Sequence, residues 1–324
     1  MTICKHSRRQ GTVFIAFGIL MALGALQPYE ASAQAAPGPT AAPNRYAATI
    51  APLERFEIEG VLVERHGSAN GRPLILVPGL ASGSWAWQDT IRAFSGSNPV
   101  YVLTLPGFDG RPAAPQAGFA AARAALAHLI AQRKLDKPVI VGHSLGGTLG
   151  LALAEDQPAA IGGVVSIDGL PVMPGTETMA PAQRASLAEG MRSVAGAPAA
   201  FAAQQQTYMR TIGVLDMGKA DELAKLSARS DPAAVGRYAA DVLSLDLRPG
   251  LKDIQAPVLV ISPWHDLDAA QQGVTENAKT DYYRSLLQGA PRVEVVSVAP
   301  ARHFAMLDQP QKVNEAIRAF LASL

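Results

Sequence analysis

Short, continuously apolar runs recur along the chain and alternate with longer segments of helical spacing. Runs of this kind are buried on both faces, which is typical of parallel β-strands. They are Pro73–Val77, Val100–Leu103, Pro138–Val141, Val164–Ile167, Val258–Ile261 and Val293–Val298. Two further runs, Arg55–Glu59 and Val61–Arg65, flank Gly60 and predict an antiparallel pair at the edge of the sheet.

The segments between these runs predict helices. They are Trp87–Phe94, Gln116–Gln132, Leu145–Asp156, Asp281–Leu287 and Gln311–Leu324. In the last of them, Val313, Ile317 and Phe320 form one apolar stripe. The alternation of strands and helices predicts an α/β fold with a mostly parallel, eight-stranded sheet and helices on both faces.

One segment interrupts this alternation. Between Pro171 and Gly250 the chain is rich in Ala and Met and contains no convincing strand, which predicts a helical insertion after the sixth strand. Such an insertion would cover the carboxyl ends of the strands, where ligands bind in open α/β sheets. We therefore expect a lid over residues 171–250 and a core formed by 53–170 and 251–324. A packed helical layer without gating is the alternative.

The N-terminal residues have the pattern of a secretory signal peptide. Basic residues precede the apolar run Val13–Leu26, and the tripeptide Ala-Ser-Ala ends at Ala33 as a small-residue cleavage pattern. The run has only about 14 residues, whereas a membrane anchor needs about 20. We expect cleavage of residues 1–33, export to the periplasm or medium, and no stable membrane span afterwards. The Ala- and Pro-rich residues 34–52 predict a flexible segment.

Composition narrows the possible chemistry. The 324 residues are 48% hydrophobic and 17% charged with a net charge of +1, which favours a globular protein and no nucleic-acid partner. The only cysteine is Cys4, so neither a disulfide scaffold nor a thiolate zinc site is expected. The His265, Asp266 and Asp268 cluster lacks a second histidine pair at helical spacing, so we predict no metal and no cofactor.

A candidate nucleophile lies in Gly-His-Ser-Leu-Gly-Gly, residues 142–147. The motif follows a predicted strand and opens a predicted helix, the context of a sharp turn that exposes the Ser144 hydroxyl. The glycines at 142 and 146 allow the close backbone approach that this turn needs. The helix N-terminus beside Ser144 also favours developing negative charge.

A serine nucleophile needs a base, and elimination among six histidines leaves His303, which follows the last strand. The five histidines that are poorly placed for this role are His6, His66, His128, His143 and His265. The base in turn needs a carboxylate. Asp266 is favoured because it directly follows the strand Val258–Ile261, while Asp168 and Asp268 remain alternatives.

The chain from about Arg55 to Leu324 resembles the α/β-hydrolase superfamily, in its lid-bearing, esterase-like branch. The resemblance is carried by VPGLASGSWAW (77–87), LTLPGFDGRP (103–112), GHSLGG (142–147), ISPWHD (261–266) and RHFAMLDQP (302–310). It implies an oxyanion hole formed by the amides of Leu80 and Leu145. We expect Trp85, His143 and Met173 to line the substrate pocket, although Trp85 and Trp87 could both belong to the core.

These features predict an exported serine hydrolase that cleaves a small-molecule ester, lactone or thioester through an acyl-serine intermediate. A serine at the turn argues against the dehalogenase and epoxide-hydrolase chemistries of this fold, which use aspartate there. The alternatives are an amidase or peptidase of the same fold, and a non-catalytic binding protein. The presence of serine, acid and histidine in the expected chain order argues against the last.

Overall fold

The computed structural model describes residues 44–324, except 48, 69 and 194–196. The predicted signal peptide (1–33) and residues 34–43 of the predicted flexible segment lie outside the described residues. Within the described part of the chain, no helix combines the length and the apolar character needed to cross a membrane.

Eight strands form one sheet in the order β1-β2-β4-β3-β5-β6-β7-β8. They are β1 (Glu54–Ile58), β2 (Val61–His66), β3 (Leu74–Val77), β4 (Val100–Thr104), β5 (Val139–His143), β6 (Gly163–Ile167), β7 (Val258–Pro263) and β8 (Val293–Val298). The β1/β2 and β2/β4 pairs are antiparallel, and all other neighbours are parallel. The predicted α/β fold with a mostly parallel eight-stranded sheet is confirmed.

Helices cover both faces of this sheet. Those outside the insertion are α1 (Gln88–Phe94), α2 (Phe119–Gln132), α3 (Leu145–Asp156), α8 (Asp266–Gln272), α9 (Glu276–Leu286), α10 (Ala305–Asp308) and α11 (Pro310–Ala322). Side chains alternate along β3, so Ile75 joins the apolar cluster under α2, α3 and α9, whereas Leu74 and Leu76 join the cluster under α1 and α11. The central strands are therefore buried on both faces.

The insertion between β6 and β7 is helical, as the sequence predicts. Its helices are α4 (Pro181–Ser193), α5 (Pro198–Tyr208), α6 (Met217–Ser227) and α7 (Pro232–Ser244), with a π-helical turn at Met209–Gly213. Side chains cap two of them: Asp216 accepts from the amide of Lys219, and Asp231 accepts from the amide of Ala234. Whether these helices move as a lid stays a prediction.

Residues 44–47 and 49–52 contact the body of the protein. Tyr46 and Ile50 contact the apolar cluster under α1 and α11, and the Asn44 amide donates to the Glu222 carbonyl of α6 at 2.6 Å. The amide of Ile50 donates to Gln88 at the start of α1. The flexible segment over residues 34–52 stays a prediction.

Candidate active site

Ser144 occupies a strained turn between β5 and α3. Its φ of 52° and ψ of −119° lie in a region that L-residues rarely adopt. A Cβ added to Gly142 would overlap the backbone of Gly146, and one added to Gly146 would overlap the carbonyl of Val77. The Ser144 amide donates to the Ile167 carbonyl of the neighbouring strand at 2.9 Å. The two small residues therefore permit the turn, and β6 anchors it.

The segment after β3 passes close to this turn. Cβ of Ser144 lies 3.2 Å from the position that a Cβ on Gly79 would take, and Leu80 follows directly. Ala81 has a φ of 53°, in the left-handed region that non-glycine residues seldom adopt. Leu145 is the first residue of α3, and its amide has no acceptor within the helix. The two predicted oxyanion-hole residues, Leu80 and Leu145, thus line one cavity with Ser144.

His303 lies between β8 and α10 with its side chain only 6% exposed. Its Nδ1–H donates to Oδ2 of Asp168 at 2.5 Å, which leaves Nε2 as the proton acceptor of the ring. The backbone amide of His303 donates to the Ile212 carbonyl in the π-helical turn at 3.1 Å. The inserted segment therefore helps to hold the base that is predicted from the sequence.

Asp168 directly follows β6, with a φ of 51°. Its other oxygen, Oδ1, accepts a hydrogen bond from the Tyr283 hydroxyl of α9. Burial acts to raise the pKa of Asp168, but the hydrogen bond and charge of His303, the Lys279 ammonium and the Tyr283 hydroxyl together hold this pKa below its usual range. The carboxylate is therefore ionised when it faces His303.

The predicted acid, Asp266, does not contact His303, and the prediction of Asp266 is wrong. Asp266 is exposed at the start of α8 and accepts a hydrogen bond from Nε1 of Trp264 at 2.6 Å. The alternative Asp268 pairs with Arg302 at 2.7 Å. Since β6 and β7 are parallel neighbours, their carboxyl ends reach the same sheet edge, and only the side-chain contacts select Asp168.

Ser144, Asp168 and His303 line the same cavity. The remaining wall is largely apolar and comes from the oxyanion segment, the end of β6 and the inserted helices. Its apolar members are Leu80, Ala81, Leu145, Leu170, Val172, Met173, Pro174, Met191, Val235, Ala239 and Val242. Met173, which the sequence analysis expects at the substrate pocket, lines the cavity that contains Ser144.

Trp85 and His143 lie outside this cavity, contrary to expectation. Trp85 is 2% exposed and stacks on Phe304 with ring centroids 6.0 Å apart, and Trp87 is fully buried. His143 is fully buried, and its Nε2–H donates to the His303 carbonyl at 3.0 Å. Burial lowers the pKa of His143 well below its ordinary value, so its ring is neutral and supports the His303 loop. Both side chains therefore belong to the buried interior.

Two cavity residues on α5, Gln205 and Tyr208, are not predicted by the sequence analysis. They lie in Ala-Ala-Gln-Gln-Gln-Thr-Tyr, where adjacent polar residues give no apolar stripe that would mark the inward face. One feature of the sequence could have indicated these two residues: Gln205 and Tyr208 are three positions apart, and residues at this spacing share a helix face.

A family model described as "Alpha/beta hydrolase family" matches residues 74–316. The "Biotin biosynthesis bifunctional protein BioHC" of Cellvibrio japonicus is 26% identical over 258 residues, which are 78% of this chain and 48% of that protein. The chain thus spans about half the length of that relative. The "Putative carbamate hydrolase RutD" of Azorhizobium caulinodans is 24% identical over 81% of this chain and 94% of its own.

Among solved structures, a thermophilic esterase from Thermogutta terrifontis with bound malate has the same fold. It superposes with a TM-score of 0.66 at 20% identity, over 83% of this chain and 98% of the esterase.

Proposed function

This chain belongs to the alpha/beta hydrolase family, and on that premise we propose that it is a serine hydrolase that cleaves a small carboxylic ester, lactone or thioester. One observation carries the proposal: a serine in a strained strand-to-helix turn shares a cavity with a histidine that is bonded to an ionised carboxylate. These groups are the components of acyl transfer to a nucleophilic serine.

In the first half of the proposed reaction, Nε2 of His303 takes the proton of the Ser144 hydroxyl as the oxygen attacks the substrate carbonyl carbon. Asp168 accepts from Nδ1–H throughout and stabilises the imidazolium that forms. The carbonyl oxygen gains negative charge, and the amides of Leu80 and Leu145 donate to it. Collapse of the intermediate breaks the ester C–O bond. His303 returns the proton to the departing alcohol, and an acyl-serine remains.

In the second half, water takes the place of the alcohol. Nε2 of His303 removes a proton from the water as its oxygen attacks the acyl-serine carbonyl. The second intermediate collapses to the carboxylic acid, and Ser144 regains its proton from His303. The largely apolar wall favours a small, largely apolar acyl group over a peptide segment.

The first prediction tests the nucleophile. A fluorophosphonate probe should label the wild type at Ser144, and Ser144→Ala should lose labelling and lower kcat for p-nitrophenyl acetate by about 10⁴-fold or more. Ser285→Ala, on the exposed side of α9, is the matched control and should retain both. Full turnover by Ser144→Ala, or labelling of another serine in wild type, would contradict the proposal.

A further inference from the structure

The inserted helix α5 presents two polar side chains to an otherwise mostly apolar cavity wall. Gln205 and Tyr208 are three residues apart, so they lie on one face of the helix, and both line the cavity that contains Ser144. Neither takes part in the proposed acyl transfer. A polar side chain in such a wall can pair with a polar group of a ligand, and a ligand group that matches it gains a hydrogen bond.

Gln205 is 5% exposed and is held by Ser227 of α6. The Ser227 hydroxyl oxygen lies 2.7 Å from the Gln205 carboxamide and 2.9 Å from the Ala81 carbonyl. A hydroxyl has one proton and cannot donate to two carbonyl oxygens at once. The Ser227 hydroxyl and the Ala81 carbonyl are both satisfied when Ser227 donates to Ala81 and accepts from the Gln205 amino group, since amide orientation is assigned from the hydrogen-bond network. The carbonyl oxygen of Gln205 then faces the cavity as an acceptor.

Tyr208 provides the complementary donor. Its ring meets that of His303 edge-on, with centroids 6.1 Å apart, and its hydroxyl has no hydrogen-bond partner among the residues described by the structure. Burial raises the pKa of Tyr208 above its ordinary value, so the hydroxyl keeps its proton at neutral pH. An acceptor and a donor thus stand on one helix face beside the proposed nucleophile.

The charges around the cavity restrict the ligand further. Within the described part of the chain, the lining contains neither lysine nor arginine, and Asp168 is its one carboxylate. An anionic group would be buried there without a counter-ion, which costs much more than burying a neutral polar group. Ser227 ties Gln205 to Ala81, which directly follows Leu80, so Gln205 lies beside the proposed oxyanion segment.

We propose that Gln205 and Tyr208 are specificity-determining residues that bind a neutral donor–acceptor group, a hydroxyl or a primary carboxamide, in the acyl part of the substrate. This inference rests on the proposed function and narrows its substrate class. An acyl hydroxyl would donate to the Gln205 carbonyl and accept from the Tyr208 hydroxyl. An isosteric methyl group would leave both protein groups unpaired.

The test compares p-nitrophenyl esters in matched pairs that differ at one position. The hydroxyl pairs are 3-hydroxybutanoate with 3-methylbutanoate and 6-hydroxyhexanoate with heptanoate, and the carboxamide pair is glutaramate with 5-methylhexanoate. For each pair, the kcat/KM of the polar ester is divided by that of its apolar partner. This ratio is then divided by the ratio of their hydroxide-catalysed hydrolysis rates, which corrects for the different intrinsic reactivity of the two esters. The wild type, Gln205→Leu and Tyr208→Phe are measured, with Gln206→Leu as the control on the exposed face of α5.

In the wild type, at least one polar member should exceed its isostere by about tenfold, the factor expected for a hydrogen bond left unmade. That ratio should fall to near one in Gln205→Leu and Tyr208→Phe and persist in Gln206→Leu. The pair that responds identifies the hydroxyl or the carboxamide. Melting curves accompany each variant, and if Gln205→Leu does not fold, Tyr208→Phe, which keeps the aromatic ring, decides alone.

Two other outcomes would overturn the inference in distinguishable ways. If the wild type hydrolyses the esters but no ratio changes in the variants, the recognition role of α5 is wrong and the proposed hydrolase activity stands. If the wild type hydrolyses no ester and the fluorophosphonate does not label Ser144, the proposed function fails and the inference fails with it.

Discussion

The hydrogen bond from His303 to Asp168 determines which proton the imidazole ring carries. With Nδ1–H directed at the carboxylate, Nε2 is the nitrogen that can accept a proton from Ser144. In the proposed reaction, the Asp168 carboxylate stabilises the imidazolium that forms on His303. Tyr283 and Lys279 of α9 favour the ionised form of Asp168, so this strand end is built around a buried anion.

The two carboxylates at neighbouring strand ends give the second prediction. Asp168→Asn preserves the shape of the side chain but not its charge, and it favours the wrong tautomer of His303. We expect kcat for p-nitrophenyl acetate to fall by about 10⁴-fold. Asp266→Asn is the matched control and should stay within about threefold of the wild type, because exposed surface substitutions have small effects. A large loss in Asp266→Asn with little loss in Asp168→Asn would contradict this assignment.

At this scale the sequence predicted Ser144 and His303 as site residues but not the carboxylate. Ser144 is marked by a local motif, and His303 is selected because the other histidines are poorly placed. The carboxylate has no motif of its own. Asp168 and Asp266 each follow a buried strand, and the choice depends on a contact across 135 residues of chain. The spacing of hydrophobic residues along the chain does not show which of two distant carboxylates contacts His303.

At the scale of elements, the loop after β4 holds the junction between α6 and α7. The Gly110 amide donates to the Arg229 carbonyl at 3.1 Å, and the Asp231 amide donates to the Gly107 carbonyl at 2.7 Å. Between them, the Asp109 amide donates to the Ser230 hydroxyl, and the Asp109 carboxylate lies 3.4 Å from the Arg229 guanidinium. The inserted helices are therefore fastened to the sheet through a partly buried charge pair.

This fastening gives the third prediction, on pH dependence. Burial raises the pKa of Asp109 to about 6, against the opposing charge of Arg229 and with a further contribution from Glu64. Between about pH 4 and pH 6 the folded protein keeps a proton that the unfolded chain releases, so this group lowers the free energy of unfolding as pH rises through that window. Asp109→Asn cannot ionise and lacks this effect.

Urea unfolding of both proteins at pH 4, 5, 6 and 7 measures the difference. The free energy of unfolding of Asp109→Asn, relative to wild type, should increase by about 2–3 kcal/mol from pH 4 to pH 7. The lost Arg229 contact can also change the free energy of unfolding, but a change that is the same at every pH cancels in this comparison. A difference that is the same at every pH would show that Asp109 does not titrate in this range.

The fourth prediction concerns the methionines of the insertion, which lie in two different environments. Met209 is fully buried in the core, whereas Met173 and Met191 line the cavity. Met209→Ala should cost about 2–5 kcal/mol of stability and leave acyl-chain preference unchanged. Met173→Ala and Met191→Ala should shift the octanoate-to-acetate ratio of kcat/KM, since adaptable side chains there meet the acyl group. Equal stability losses in all three variants, with a constant ratio, would assign these helices to the core alone.

The sequence could predict that the insertion forms helices. It could not predict which face of each helix turns towards the cavity. Proline at a first helical position and an aspartate cap mark α7 in the sequence itself. Which face of α5 turns inward depends on Ser227 and on the Ala81 carbonyl, both distant in the chain. Local patterns therefore predict where a helix begins, while tertiary contacts decide what it presents to the cavity.

For the whole molecule, the alternation of apolar runs was enough to predict the sheet. Each parallel strand is short and mostly apolar, and the connections between them are helical, which indicates an α/β fold. The contacts of Tyr46 and Ile50 with the apolar cluster under α1 and α11 were not predictable, because these side chains are isolated among small and polar residues.

The fifth prediction concerns export, which we propose on the pattern of residues 1–33. The protein isolated from the periplasm or medium of its host should begin near Gln34, because the tripeptide ending at Ala33 has the small residues that cleavage needs. Mass spectrometry of the intact protein measures the N-terminus. Recovery of the chain from membranes with Met1 still present would contradict export and favour an anchor.

The location of Asp168 has a practical consequence for protein engineering. Ser144 and Asp168 both lie in the continuous segment Val139–Asp168. No residue of the turn that follows β7 takes part in the proposed reaction. Helix α8 projects Leu267 into solvent, and its end at Gly273 adopts a φ of 65° in open space. A fluorophore is therefore best attached at position 267, which faces solvent, while Asp268 on the same helix should be kept because it pairs with Arg302 beside His303.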